Sequence, residues 1–343
     1  MKAVTYHGIG DLRVERVADP DLLAPTDVIV RVELAAICGS DLHVWHGREV
    51  GLEPGTPMGH EFLGEIVDVG KAVTRFRPGH RAVSPFSTSC GDCFYCRGGL
   101  TARCERGQLF GWVERGEGLP GGQAELVRVP LADSTLLPLP SGLAPEAALL
   151  LGDVLATGYH CATLAGIAPG TTCAVIGCGP VGLMAVLAAA ELGAERIYAL
   201  DSVPERLRRA EQLGGITGVS PEAILESTQG RGVDAVLEAV GSAQSMQLAF
   251  RLIRPGGTLA VVGVHHETGF PFSPGQAYDK NLTVRIGRCP ARSYMEQLTP
   301  LARRREETLQ RLFTHRVSLE AAPDAYRMFA EKREGCIKVG LRP

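Results

Sequence analysis

The sequence predicts an α/β protein of two domains, one mostly β and the other a doubly wound parallel sheet. Three observations support this prediction. The 343 residues exceed what one hydrophobic core usually organises. From Met1 to about Ser141 the chain consists of short alternating runs that glycine and proline interrupt. From about Gly170 apolar, strand-like runs alternate with helix-like segments.

The first domain is predicted over residues 1–153 and 288–343. Five segments alternate between apolar and polar residues, as half-buried strands do: "MKAVTYH", "DVIVRVEL", "GEIVDVG", "RAVSPF" and "AELVRVP". The tail carries two helix-like stretches and the strand-like "CIKVGL", which we expect to return to this domain. The second domain is therefore an insertion into the first.

The second domain is predicted over residues 154–287. Its strands are "TTCAVIG", "RIYALD", "VDAVLEAV" and "GTLAVVG", and its helices are "PVGLMAVLAAAELG", "PERLRRAEQLG" and "AQSMQLAFRLI". Strands that alternate with helices form βαβ units, and these units build a parallel sheet that helices cover on both faces.

Composition excludes several classes of protein. The formal net charge is −3 and the isoelectric point about 6.3, and no long basic block is available to bind nucleic acid or an acidic membrane. No apolar run reaches the roughly 20 residues of a membrane span, and the start lacks the apolar core of a signal peptide. We expect a cytoplasmic protein without nucleic-acid or membrane partners.

A dinucleotide site is predicted where "VIGCGPVG" follows a strand and opens a helix. Gly177 permits a tight turn, Gly179 lets a pyrophosphate approach, and Gly182 lets helix and strand pack closely. Asp201 ends the next strand, where a carboxylate takes the adenosine ribose hydroxyls and would repel the extra phosphate of NADP. NAD is therefore favoured over NADP, although Arg206 could attract that phosphate. The alternative is a helix-capping Asp201 beside a glycine turn without function.

Four cysteines crowd into "CGDCFYCRGGLTARC". Cys90, Cys93, Cys96 and Cys104 supply four soft ligands from one short lobe, about residues 86–110, which suits a closed, structural zinc site. An iron–sulfur cluster and a set of free thiols are the alternatives. Such a closed site stabilises a loop and leaves no position for a substrate.

A second, open metal site is predicted from "AAICGSDLHVWHG" and "PMGHEFLGE". Cys38, His60 and Glu61 offer a thiolate, an imidazole and a carboxylate, the type of ligand set that a catalytic zinc uses with one position left for substrate. Taken singly, Cys38 could be a core cysteine and His60 a hydrogen-bonded interior histidine.

These motifs together resemble the zinc-dependent medium-chain alcohol dehydrogenases. The segments "CGSDLH", "GHEFLGEIVDVG", the four-cysteine lobe, "GCGPVG" with Asp201, and "EAVG" follow one another in the order that the family has. The resemblance implies a GroES-like catalytic domain around a Rossmann domain. It also implies two zinc ions per chain, with Cys38 and His60 on the catalytic ion and Glu61 beside it as an alternative ligand.

The resemblance implies a third catalytic ligand at Asp153, in "LLLGDVLATGYH", where many members of the family have cysteine. The alternative is a buried Asp153 that caps a helix. Ser40 would accept the proton of the alcohol, His43 would pass it to solvent through the cofactor ribose, and Asp41 would orient His60. A turn serine and a surface histidine are the alternative interpretations of Ser40 and His43.

The resemblance also assigns positions around the cofactor and the substrate. The nicotinamide would lie against Thr157 and Val181, with its carboxamide at the backbone near Val262 to Val264. Gly39 stands where many members of the family have an arginine or histidine for the pyrophosphate, and Lys338 could replace it. The cofactor contacts expected in addition to the three glycines, Asp201 and Arg206 are Thr157, Pro180, Val181, Val240, Val262, Val264 and Lys338. Phe86 and Trp112 are the expected aromatic residues of the substrate pocket.

The function expected from these residues is NAD-dependent oxidation of a primary or secondary alcohol, or reduction of the corresponding aldehyde or ketone. A polyol, sugar or amino-alcohol dehydrogenase of the same architecture is the alternative, and a non-enzymatic protein that binds NAD or zinc is a remote one. The apolar segment "LTVRIG" could pair edge to edge with a second copy. We expect a homo-oligomer, a homotetramer with a dimer as the alternative.

Overall fold

The computed structural model describes residues 1–343, which form two units. Unit 1 comprises Met1–Ala156 and Pro290–Pro343, and unit 2 is Thr157–Cys289. The predicted domain borders lie two to three residues from these and stay a prediction. Each unit has its own hydrophobic core.

Unit 1 is built on a mostly antiparallel sheet of seven strands. The central strand β3 pairs with β16, β4 and β8, and for that reason it is apolar over most of its length. The sheet order is β15-β16-β3-β4-β5-β9, with β8 on β3; β1 with β2 and β6 with β7 form two small hairpins. The strands of unit 1 are β1 (Lys2–Gly8), β2 (Asp11–Arg16), β3 (Val28–Ile37), β4 (Glu61–Val69), β5 (Arg81–Val83), β6 (Trp112–Glu114), β7 (Glu117–Leu119), β8 (Leu126–Val129), β9 (Leu137–Pro138), β15 (Phe313–Ser318) and β16 (Lys338–Arg342).

Helices of unit 1 cover the sheet and connect its strands. The tail returns to this unit, as the sequence indicated, because β16 pairs with β3. The α-helices are α1 (Asp41–Trp45), α2 (Phe94–Arg97), α3 (Ala132–Thr135), α4 (Pro145–Leu151), α11 (Ala291–Arg304), α12 (Glu306–Gln310) and α13 (Ala322–Ala330), with 3-10 turns at Thr101–Arg103 and Leu319–Ala321. Helix α5 (Val154–Leu164) begins in unit 1 and continues into unit 2.

Unit 2 is a five-stranded parallel sheet with the order β11-β10-β12-β13-β14. Its inner strands are almost continuously apolar because both faces are covered. A single parallel bridge between Tyr198 and Ile216 continues the sheet beyond β11. The elements are β10 (Thr172–Ile176), α6 (Pro180–Glu191), β11 (Arg196–Leu200), α7 (Pro204–Gln212), α8 (Pro221–Ser227), β12 (Val233–Glu238), α9 (Ala243–Leu252), β13 (Ile253–Val261), α10 (Pro274–Asp279) and β14 (Thr283–Ile286).

The fold class predicted from the sequence is confirmed: the first unit is mostly β, and the second is α/β with a parallel sheet of five strands. No single helix is long and apolar enough to cross a membrane. The bent pair α4 and α5 meets that test only when the two helices are counted together.

Candidate active site

Four side chains of unit 1 that could hold a metal ion converge, and they are the four residues expected around the catalytic zinc. Cys38, His60, Glu61 and Asp153 each offer one ligand atom, and these atoms lie within 4.8 Å of one another. The Oδ2 atom of Asp153 is 3.3 Å from the Sγ atom of Cys38 and 3.2 Å from the Nε2 atom of His60. Asp153 therefore faces the thiol and the imidazole that the sequence assigned to a catalytic metal.

The antiparallel pairing of β3 and β4 creates this convergence. Ala36 pairs with Glu61 in the register of the two strands, so the residue after β3, Cys38, and the residue before β4, His60, meet at the same sheet end. Asp153 lies in the two-residue break between α4 and α5. The backbone N–H of Phe86 donates to the carbonyl of Gly152 at 3.2 Å, which holds this break beside the sheet.

The electrostatics of the group favour a cation. Burial raises the pKa of the Cys38 thiol to about 11, and the carboxylates of Asp153 and Glu61 add to that rise. Burial also raises the pKa of Glu61, and its Oε2 atom is buried without a hydrogen-bond partner. A divalent cation would stabilise the thiolate and the carboxylates and would give Glu61 Oε2 a partner. Sulfur, imidazole nitrogen and carboxylate oxygen are the ligands of zinc, so these residues fit a zinc ion.

Asp41 contacts His60 at Nδ1, the ring nitrogen other than the one that faces Asp153. Its Oδ1 atom is 3.3 Å from His60 Nδ1, and its Oδ2 atom accepts hydrogen bonds from the backbone N–H of Cys38 and from Gln123 Nε2. Tyr326 donates in turn to Gln123 Oε1 at 2.9 Å. Sequence reasoning missed Gln123 and Tyr326, because neither belongs to a motif and both are far from Asp41 along the chain.

Lys338, which the sequence places at a cofactor phosphate, lies beside Glu61 in the structure, and its contact with a cofactor stays a prediction. Lys338 is fully buried in β16, and its ammonium forms an ion pair with Glu61 Oε1 and donates to the carbonyl of Ile37 at 3.1 Å. Lys338 compensates the charge of Glu61 next to the candidate zinc ligands.

The other residues predicted for catalysis and the pocket lie in unit 1 as follows. Ser40 Oγ is 3.4 Å from His60 Nε2, and His43 is half-buried in α1. The ring of Phe86 meets the His60 ring edge-on at a centroid distance of 6.4 Å. Trp112, in β6, packs on the core of unit 1. Ser40 and Phe86 are thus beside the ligand group, and the pocket role of Trp112 stays a prediction.

The four cysteines of the lobe form a second candidate metal site. Their sulfur atoms lie within 4.8 Å of one another, with 3.9 Å between the sulfurs of Cys90 and Cys96. A tetrahedral zinc with Zn–S bonds of about 2.3 Å holds its sulfurs about 3.8 Å apart. Backbone N–H groups of Glu105 and Cys96 lower the pKa of the Cys93 thiol to about 6. This group fits a closed structural zinc.

The glycine turn of unit 2 has the geometry that a pyrophosphate site needs. Gly177 has a φ of +87°, in the left-handed region that glycine adopts without strain. A Cβ atom at Gly182 would overlap the carbonyl oxygen of Gly177, so the third glycine allows α6 to approach the turn. Gly179 is the N-cap of α6, the positive end of a 12-residue helix.

Asp201 and Arg206 flank this turn. The Asp201 carboxylate accepts hydrogen bonds from the backbone N–H of Cys178 at 2.7 Å and of Val203 at 2.8 Å, and Arg206 Nη1 lies 3.6 Å from it. The Nε atom of Arg206 is buried without a hydrogen-bond partner. Asp201 therefore holds the backbone of the turn, and its oxygens keep lone pairs for further donors.

The remaining cofactor positions predicted from the sequence lie in unit 2. Pro180 and Val181 begin α6, and Thr157 lies in α5. Val240 follows β12, and Val262 and Val264 follow β13; Val240 and Val264 are 47% and 45% exposed. All of these positions stay predictions.

Two family models match the chain. Residues 24–141 match the alcohol dehydrogenase GroES-like domain, and residues 180–304 match the zinc-binding dehydrogenase domain. Zinc-type alcohol dehydrogenase B of Aspergillus flavus is 39% identical over 343 residues, which cover 96% of this chain and 78% of that protein. The chain belongs to the zinc-binding medium-chain alcohol dehydrogenase family. It is accordingly an oxidoreductase of the zinc-type alcohol dehydrogenase kind.

Solved structures of this family resemble the chain over its full length. Alcohol dehydrogenase TADH from Thermus sp. ATN1 is 40% identical with a TM-score of 0.92, and the match covers 100% of this chain and 99% of that one. A putative zinc-binding dehydrogenase from Sinorhizobium meliloti 1021, bound to NADP, is 30% identical with a TM-score of 0.84 over 100% and 99% of the chains. Sorbitol dehydrogenase of Bacillus subtilis is also a relative, 31% identical over 100% of this chain and 97% of that protein.

We predict two zinc ions per chain by elemental analysis of the purified protein. Asp153→Asn should retain the zinc of the cysteine lobe and release the other at chelator concentrations at least about tenfold lower, because a charged ligand is lost. Cys90→Ser should lose the lobe zinc instead. Cys173→Ala removes a buried thiol outside both sites and is the matched control, with both ions retained. Undiminished retention of both ions by Asp153→Asn would show that Glu61, not Asp153, completes the site.

Proposed function

We propose that this protein is an NAD-dependent zinc alcohol dehydrogenase that oxidises primary or secondary alcohols with an apolar substituent. The observation that carries the proposal is the buried group of Cys38, His60 and Asp153 with Glu61 beside it. Glu61 is already ion-paired with Lys338, so Cys38, His60 and Asp153 supply three ligands and leave a fourth position for a substrate, as a catalytic zinc requires. The glycine turn with Asp201 supports the dinucleotide part of the proposal.

Each ligand residue has a defined task in this proposal. Zinc, when bound, supplies a Lewis acid that lowers the pKa of an alcohol, and NAD accepts the hydride. Cys38, His60 and Asp153 hold the ion, and Asp41 fixes the ring of His60 so that Nε2 is directed at it. Lys338 keeps the charge of Glu61 compensated whether or not that carboxylate binds the metal.

Ser40 and His43 handle the proton in the proposed reaction. Ser40 Oγ lies at the ligand group, 3.4 Å from His60 Nε2, and its hydroxyl can accept the proton of the alcohol while it gives up its own proton. His43, three residues further along in the same short helical segment, passes the proton towards solvent. Phe86 gives the alcohol an apolar wall, because its ring already packs against His60.

Polyols, sugars and amino alcohols are the second candidate substrates. The relative named sorbitol dehydrogenase favours them, since it matches the full length of the chain. Discrimination for a polyhydroxylated substrate would require polar side chains that bind its hydroxyls. Phe86, the side chain in ring contact with His60, is apolar, and therefore simple alcohols are the first choice.

We predict that Cys38→Ser abolishes alcohol-dependent NADH formation while the melting temperature and the lobe zinc are retained. A hard hydroxyl replaces the soft thiolate, so the catalytic zinc is lost or misplaced. Initial rates with a panel of simple alcohols, polyols and amino alcohols measure the effect, and Cys173→Ala is the control with unchanged rates. Full residual activity of Cys38→Ser would contradict the proposal, and a strict requirement for polyols would select the second candidate.

A preference for NAD over NADP follows from Asp201 in this proposal. A 2′-phosphate would meet the negative charge of Asp201, whereas ribose hydroxyls can donate to it. Arg206 opposes this preference, because its guanidinium lies 3.6 Å from Asp201 and could pair with a phosphate. The NADP-bound relative from Sinorhizobium meliloti shows that the family does not exclude NADP.

We predict that kcat/KM for NAD exceeds kcat/KM for NADP. Asp201→Asn should shift the ratio of these two values towards NADP by about tenfold or more, because the ribose hydroxyls lose hydrogen bonds to a charged group. Arg206→Gln should shift the ratio in the opposite direction. Glu205→Gln is the matched control, because it removes a nearby carboxylate that pairs with Arg208 and Arg209 instead. A ratio that Asp201→Asn leaves unchanged would remove Asp201 from cofactor selection.

We further propose that the protein is a homotetramer assembled in part through β14. This strand is the edge of the parallel sheet, and Thr283, Arg285 and Ile286 are exposed on it. An exposed edge strand is a template for pairing with a second copy across a twofold axis.

Sedimentation should give about four times the chain mass of 36.5 kDa. Ile286→Lys should lower that mass, because it places a charge on the edge strand, whereas Leu23→Lys, at a position 73% exposed in unit 1, should not. A monomeric wild-type protein would contradict this assembly.

A further inference from the structure

Two turns at the carboxyl ends of β12 and β13 are pressed against each other in unit 2. The first comprises residues 239–242, and the second comprises residues 262–267. A Cβ atom at Gly241 would overlap the carbonyl of Val264, and one at Gly263 would overlap the backbone N of Gly241. The turns therefore approach each other closely through their backbones.

A line of polar contacts connects the two turns. Glu238 is fully buried at the end of β12, and its Oε1 atom accepts hydrogen bonds from the backbone N–H of Val240 at 2.8 Å and of Gly241 at 2.9 Å. Its Oε2 atom lies 3.3 Å from His265 Nε2. Each oxygen of this carboxylate thus serves a different turn.

His265 continues the line to the start of α9. Its Nδ1 atom lies 3.1 Å from Glu267 Oε2, and Glu267 Oε1 accepts a hydrogen bond from the backbone N–H of Ala243 at 2.8 Å. The imidazole thus bridges a buried carboxylate of one strand and a carboxylate that holds the first residue of a helix. A neutral imidazole has one N–H and can donate to only one of these carboxylates, whereas the imidazolium donates to both.

We propose that His265 is a positioning residue that bridges Glu238 and Glu267 and so holds the backbone of residues 262–264 in place for the nicotinamide of the cofactor. The inference rests on the proposed function and on the position near Val262 to Val264 that the family resemblance implies for the nicotinamide carboxamide. Ligands of parallel sheets bind at the carboxyl ends of the strands, where both turns lie. A turn that is held before binding loses less conformational freedom when the cofactor binds.

The bridge depends on pH in a defined direction. The hydrogen bond with Glu238 raises the pKa of His265 against the opposing effect of burial, and Glu267 adds to the rise. Glu238 of β12 and Glu267 of the same turn are the charged groups that act on it. A raised pKa means that the bridge is complete below the unfolded value of about 6.5 and is lost as the pH rises through the higher folded value.

Binding of NADH and of ADP-ribose to the wild-type protein and His265→Gln tests the proposal without turnover. We expect His265→Gln to weaken NADH binding at pH 6 by about tenfold, the effect of losing one charge-assisted hydrogen bond. ADP-ribose lacks the nicotinamide and should bind within about twofold of wild type. Wild-type NADH binding should weaken from pH 6 to pH 9 more than that of the variant. Fluorescence titration for NADH and calorimetry for ADP-ribose give the dissociation constants.

Two further variants make the test specific. His266→Gln removes the neighbouring, more exposed imidazole and should behave as wild type. Glu267→Gln keeps His265 and Glu238 but removes one charge from the bridge, so it should weaken NADH binding less than His265→Gln does. It also serves if His265→Gln does not fold.

Three results would overturn the inference. Unchanged NADH binding with an unchanged pH profile in His265→Gln would remove the bridge from cofactor binding. An equal loss of NADH and ADP-ribose affinity would reduce His265 to a structural role. A wild-type protein that binds neither NADH nor ADP-ribose would fail the dinucleotide part of the proposed function as well, and that outcome is distinct from the other two.

Discussion

The burial of ionisable ligands around one point is the constraint on which unit 1 depends. A thiol, an imidazole and two carboxylates lie within 4.8 Å of one another, largely out of water. An isolated buried carboxylate is costly, and two side by side are costlier because their charges repel. The fold meets this cost by enclosing Lys338 against Glu61, and Asp41 with Gln123 fixes the histidine. What remains is a negative group that a divalent cation would balance, in a family that binds zinc.

The strands and helices of unit 1 hold these four side chains in fixed positions. Cys38 and His60 adjoin the same end of two paired strands, so their separation depends on sheet hydrogen bonds rather than on loop conformation. Asp153 comes from a break between two helices whose neighbouring residues are buried. In the cysteine lobe, backbone N–H groups donate to the sulfur atoms and fix their positions. The short loop has little apolar core of its own, so a bound zinc would stabilise its fold.

In unit 2 the main constraint is that backbone atoms must be exposed to a ligand at the carboxyl ends of the parallel strands. The glycine turn and the two turns after β12 and β13 leave no room for Cβ atoms at Gly182, Gly241 and Gly263. Buried or half-buried carboxylates then hold each turn: Asp201 binds the backbone of the glycine turn, and Glu238 binds the turn after its own strand. Both units therefore use carboxylates to hold functional geometry, one set around a metal position and the other on backbone N–H groups.

The sequence by itself determined the fold class, the four-cysteine site and the glycine turn, because these depend on local periodicity and on short motifs whose residues lie close together in the chain. It also indicated Cys38, His60 and Glu61 as a second ligand set, because their residue types occur together. Asp153 was predictable only through the resemblance to a family, since a carboxylate in an apolar run does not indicate its own partner. The tertiary structure alone decided the contact between Lys338 and Glu61: strand β16 returns to pair with β3 and carries the ammonium to Glu61, 277 residues away in the chain. The same holds for Gln123 and Tyr326 behind Asp41, and for His265 between two carboxylates. Such pairings arise from sheet register and chain return, which no local pattern encodes.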